Sequence, residues 1–121
     1  MSQVILAESD AALRGLIAGR LAGKGVSVGQ AADRAAALQL LKDNPGAILL
    51  LSDSAISDSD SCDLVADALR LRPELKVLIM TAHAGDPPPS AALRAREMRT
   101  MAKPFDPERL CALVVEMLAR P

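Results

Sequence analysis

The sequence predicts an α/β fold in which a parallel five-stranded sheet carries helices on both faces. Short apolar runs alternate with longer segments of helical period, which is the pattern of repeated βα units, and five such units can be counted. The third run, Ile48-Leu49-Leu50-Leu51, is apolar without alternation, as a central strand buried on both faces must be. At 121 residues, half of them hydrophobic, the chain suits one core, so a single domain over residues 1–121 is expected.

The first unit opens with Val4-Ile5-Leu6-Ala7 as a strand. Ser9 and Asp10 are N-cap candidates for a helix whose apolar stripe is Leu13, Leu16, Ile17 and Leu21. Gly23-Lys24-Gly25 ends that helix, and Val26-Ser27-Val28 reads as the second strand. Asp33 caps the next helix, with Leu38 and Leu41 on one face, and Asn44-Pro45-Gly46 turns the chain. After the third strand, a polar stretch from Asp53 to Ser61 precedes a helix bearing Leu64, Val65, Ala68 and Leu69, closed by Pro73. Val77-Leu78-Ile79-Met80 is the fourth strand. Pro87, Pro88 and Pro89 hold an extended loop, leaving room for a short fourth helix from Ser90 to Glu97 and a fifth strand from Arg99 to Ala102. The last helix has Asp106 as N-cap, Pro107 at its first position, and Leu110, Leu113, Val114, Met117 and Leu118 along one face.

Composition removes several function classes. A formal charge of −1 and the absence of Tyr and Trp leave neither a basic field nor stacking platforms for nucleic acid. No apolar run approaches the roughly 20 residues that cross a bilayer, and the start lacks a basic leader, so neither membrane insertion nor export is expected and the cytoplasm is the expected location. Cys62 and Cys111 have no Cys or His neighbour at ligand spacing and read as plain thiols. The run Asp58-Ser59-Asp60-Ser61-Cys62-Asp63 lacks the glycine and terminal glutamate of a calcium loop. The one aromatic, Phe105, leaves a core of Leu, Val, Ile, Met and Ala.

In a doubly wound sheet the ligand site lies beyond the carboxyl ends of the strands. Glu8 and Ser9 follow the first strand, Asp53 the third, Thr81 the fourth and Lys103 the fifth, so all should meet at one rim. A carboxylate nucleophile, a second acid, a hydroxyl donor and an ammonium are what phosphoryl transfer to an aspartate requires. Asp53 would attack phosphorus. Mg²⁺ held by acidic side chains would neutralise charge, Lys103 would pair with Asp53 and then with phosphoryl oxygens, and Thr81 would donate to another oxygen. A plain ion pair at a strand end is the alternative for any one of these residues.

Taken in order, these residues resemble the response-regulator receiver domain (CheY-like) of bacterial two-component systems, from Val4 to about Leu118. Val-Ile-Leu-Ala-Glu8-Ser9-Asp10 resembles the family's first strand and acidic cluster. Asp53 stands where the phosphoacceptor stands, and Asp60 and Asp63 fall where acids usually follow it. Thr81-Ala82 is similar to the family's Thr/Ser-Ala pair, and Lys103-Pro104-Phe105 to its Lys-Pro-Phe signature with a typically cis Lys-Pro bond. The resemblance implies a flavodoxin-like strand order of 2-1-3-4-5. It also implies Mg²⁺ as cofactor with Glu8 and Asp53 as ligands, and signalling rather than enzymatic turnover. The implied partners are a histidine kinase or phosphotransfer protein and a downstream protein target.

Three departures weaken the match. Ser9 stands where the family's second acid, the usual direct metal ligand, belongs, so metal binding should suffer. Asp10 could help but is equally a helix cap. Ser57 and Ser61 replace the usual Pro and Gly of the loop after Asp53. Thr100 replaces the aromatic that commonly gates the switch with Thr81, leaving Met98 and Met101 either as adaptable packing or as plain core. Arg94, Arg96 and Arg99 lie in what resembles the family's partner face, although a solvated charged surface explains them nearly as well. His83 could touch a phosphodonor or be an exposed loop histidine with no role. Three functions stay open: a phosphoacceptor, a receiver-fold binding module that works without phosphorylation, and a magnesium-dependent phosphatase. The last is disfavoured because Ala55 stands where a second acid is needed.

Overall fold

The computed structural model describes residues 2–54, 63–82, 85 and 90–120. Among these, the strands are β1 (Val4–Ala7), β2 (Val28–Ala31), β3 (Leu49–Asp53), β4 (Lys76–Thr81) and β5 (Met98–Ala102). The helices are α1 (Ala11–Gly23), α2 (Arg34–Asp43), α3 (Asp63–Leu71) and α4 (Pro107–Ala119), with a 3-10 helix at Ser90–Arg94. Every strand pair is parallel and the order is β2-β1-β3-β4-β5, as the resemblance implied. Parallel neighbours need crossovers, and the helices supply them.

Successive side chains on a strand point to opposite faces, so the sheet splits the core in two. Leu6, Leu49, Leu51, Leu78 and Met80 face Ile17 and Leu21 of α1 and Leu110, Val114 and Met117 of α4. Ile5, Leu50, Val77 and Ile79 face Leu41 of α2 and Leu64, Val65 and Ala68 of α3. This two-sided burial explains why the third apolar run does not alternate. The helices start where their caps dictate: Asp10 accepts the amides of Ala12 and Leu13, Asp33 that of Ala36, and Asp106 that of Glu108.

Several boundaries differ from the sequence reading. The second strand is Val28–Ala31 rather than Val26–Val28. Gly25 turns the chain at φ +81 and the Val26 amide bonds back to the Leu21 carbonyl, so Val26 belongs to the exit of α1. Gly29 sits inside the strand because a Cβ there would meet Ile5 Cδ1 and Ser2 Oγ, each at 3.2 Å. The third strand runs from Leu49 to Asp53, one residue past the start expected at Ile48, which is exposed. The fourth helix, expected over Ser90–Glu97, is only the 3-10 helix Ser90–Arg94, and β5 begins at Met98.

Two cations tie element ends together. The Arg72 guanidinium donates to the carbonyls of Leu41, Asn44 and Ala47, closing the end of α2. The buried Lys76 ammonium donates to the carbonyls of Met117 and Arg120 at the end of α4. Lys76 lies just outside the apolar run by which its strand is recognised, and nothing in the neighbouring sequence marks it as buried.

Candidate functional site

The register carries the polar residues to one rim. Ala7 pairs with Ser52, which puts the next residue, Glu8, beside Asp53 at the end of β3. Thr81 pairs with Ala102, and the Lys103 amide continues the ladder to the Thr81 carbonyl at 2.8 Å. Glu8, Asp53 and Thr81 are all buried, at 1%, 6% and 4% exposure.

The Lys103 ammonium lies between the two acids, 3.1 Å from Glu8 Oε1 and 3.3 Å from Asp53 Oδ1. Two carboxylates forced together in a low-dielectric rim repel each other, and a shared cation removes that cost. Burial alone would push the Lys103 pKa down, but the Glu8 hydrogen bond and the Asp53 and Glu8 charges outweigh it and raise the pKa above the ordinary lysine value. Lys103 is therefore fully charged at neutral pH. The Lys103-Pro104 bond is cis, as the resemblance implied.

The backbone around Glu8 is also fixed. Its Oε2 accepts the Asp10 amide at 3.1 Å, and its carbonyl accepts a hydrogen bond from Arg14 Nη1 at 2.8 Å. Arg14 was not singled out from sequence. Its place one helical turn after the Asp10 cap, on a face that returns to the strand end, was the available signal. Ser9 is exposed, and Asp10 is occupied as the cap of α1. An apolar hollow lined by Leu13, Lys103, Pro104, Phe105 and Pro107 adjoins the ammonium.

The other predicted residues lie elsewhere. Thr100 is exposed on β5, with Met98 packed toward one core cluster and Met101 toward the other. Arg94, Arg96 and Arg99 are exposed beside Leu93, which is 68% exposed. Glu97, the acid of that segment, is engaged by Arg120 and lies 3.8 Å from Lys76 and 3.9 Å from Arg99. Cys111 is a buried thiol. Ala55, Ser57, Asp58, Asp60, Ser61, Cys62, His83 and the three prolines lie outside the described residues.

Residues 4–115 match the response regulator receiver domain family, and the chain belongs to it. Receiver domains of this family are signalling modules of two-component systems whose general function is to accept a phosphoryl group, and they generally bind Mg²⁺ at that site. The chain is 28% identical over 117 residues to the transcriptional regulatory protein GlrR of Escherichia coli, covering 97% of this chain but only 26% of that protein. It is 27% identical over 118 residues to the response regulator receiver protein CpdR of Brucella abortus, covering 98% of each. The crystal structure of a CheY-like receiver domain protein from Methanospirillum hungatei superposes with a TM-score of 0.80 at 24% identity, covering 98% of this chain and 94% of that one. A two-component response regulator from Clostridium difficile superposes at 0.82 and 22% identity, covering 99% and 98%. Both structural likenesses speak for the fold alone.

The Mg²⁺ that the family generally binds sets requirements on its donors. Magnesium takes oxygen ligands in octahedral geometry, keeps several of its waters and is held by one or two carboxylates. Here Glu8 and Asp53 share Lys103, Ser9 is neutral, and no cluster of three His, Cys, Asp or Glu suited to a metal occurs among the described residues. As arranged, the two acids that would hold the ion, Glu8 and Asp53, are already paired with an ammonium. No helix of the described residues is long and apolar enough to cross a membrane.

Proposed function

We propose that the chain, as one receiver domain over residues 1–121, accepts a phosphoryl group on Asp53 from a histidine kinase or phosphotransfer protein in the cytoplasm and signals through a protein contact. The observation that carries this reading is the meeting of Asp53, Glu8 and Lys103 within hydrogen-bonding reach at the carboxyl ends of β1 and β3. An Asp53 oxygen attacks the phosphorus of a phosphohistidine, the P–N bond breaks, and the imidazole leaves with a proton, giving an aspartyl phosphate. Lys103, already charged, stabilises the phosphoryl oxygens, and the Thr81 hydroxyl donates to another. The apolar hollow beside Lys103 suits the approach of a protein donor.

Thr81 and Thr100 mark the switch region in this reading. With Thr100 exposed and not aromatic, a change at Thr81 passes through packing on β5, where Met98 and Met101 reach opposite cores. The downstream partner meets Leu93, Arg94, Arg96 and Arg99, an apolar side chain among exposed arginines whose neighbouring acid is engaged by Arg120.

Intact mass after incubation with acetyl phosphate, with and without Mg²⁺, tests the proposal. One phosphoryl adduct is expected in the wild type and none in Asp53→Asn. The second reading, a binding module independent of phosphorylation, is favoured by Ser9 and by the pairing of both acids with Lys103. Absence of any adduct under both conditions would select it.

A further inference from the structure

Among the described residues, three charged side chains meet within hydrogen-bonding reach at the rim, and their sum bears on which cation it takes. Glu8 and Asp53 face each other through Lys103, and these three together carry one net negative charge. Ser9 adds none, and the adjacent Asp10 carboxylate is turned to the amides of Ala12 and Leu13. Both Glu8 oxygens are in use, one on Lys103 and one on the Asp10 amide. Arg14 donates to the Glu8 backbone carbonyl from α1, which fixes the chain where the acid departs.

We infer that Lys103 is the resident cation of this site and locks it against divalent metal: Mg²⁺ binds only by displacing the ammonium from Glu8 and Asp53, and Ser9 leaves it too little negative charge to do so readily. A dication entering between the two acids meets a like charge already within 3.3 Å of both. Adding a carboxylate at position 9, or removing the ammonium at position 103, shifts the balance in the same direction by different means. The lock also explains how two acids of 1% and 6% exposure coexist in the resting protein. Its importance for signalling rests on the reading of Asp53 as phosphoacceptor, but its test uses no phosphodonor, so either can fail without the other.

The experiment titrates Mn²⁺ into the whole chain, reads the free ion by electron paramagnetic resonance, and repeats the titration with Mg²⁺ as competitor. Wild type, Ser9→Asp and Lys103→Met are compared, with thermal melting without metal as a check on folding. Ser9→Asp keeps the lysine, so it reports even if Lys103→Met does not fold. Tightening by about tenfold or more in Ser9→Asp, and in Lys103→Met where it folds, is expected from one unit of charge at contact distance. Wild type binding as tightly as the variants would overturn the lock. So would variants that bind no better than wild type, since something other than Lys103 and Ser9 would then be keeping the metal out.

Discussion

Buried charge is where single residues matter most, and the chain places it at both ends of β4. At the carboxyl rim stand the buried acids Asp53 and Glu8 with the half-buried Lys103 between them; at the amino end the buried Lys76 reaches the last carbonyls of α4. Lys76→Met keeps the volume but leaves the carbonyls of Met117 and Arg120 without this donor, and a lost partner at a buried polar group costs about 1–3 kcal/mol. Urea unfolding of the variant should show that loss. The rim residues were legible in the sequence because each follows an apolar run, and the position after a parallel strand is a site position whatever the rest of the fold does. Lys76 was not, because a lysine beside an apolar run is ordinarily solvated and only the packing of α4 across the strand shows otherwise.

At the scale of elements, α1 carries an avoidable cost. Gly15 and Gly19 are exposed helical residues, and a Cβ built on either meets nothing within 4 Å. Glycine in a helix interior loses backbone freedom that alanine does not have to lose, so Gly15→Ala and Gly19→Ala should each stabilise the fold by about 0.5–1 kcal/mol. A rise in urea midpoint without a change of slope would verify this. Helices with an Asp cap and an apolar stripe were readable residue by residue. The second strand and the fourth helix were not. Val26 looks like strand but is claimed by the turn at Gly25, and the segment from Ser90 reads as α-helical although it completes only a 3-10 helix.

The whole molecule depends on a sheet buried on both faces. Leu50 and Leu51 are adjacent in β3 and fully buried, yet they belong to opposite cores. Leu50→Ala and Leu51→Ala should each cost about 2–5 kcal/mol, measured by urea or thermal unfolding, because each leaves a cavity in a separate packed layer. Leu93→Ala, at a side chain 68% exposed, should stay within about 0.5 kcal/mol, which separates a surface residue kept for contact from one kept for stability.

Readable along the chain were the class of fold, the presence of five strands, the Asp33 and Asp106 caps of two helices, and the set of residues, Glu8, Asp53, Thr81 and Lys103, that occupy one rim. Those features follow from periodicity and from the geometry of parallel strands, which are local or topological and so survive without coordinates. Tertiary structure alone decided how the charges pair: that Lys103 lies between Glu8 and Asp53 rather than on one of them, that Arg14 turns back to the Glu8 carbonyl, and that Asp10 serves the helix. Pairing among charges depends on distances of an ångström or two between residues far apart in the chain. No spacing along the sequence encodes those distances.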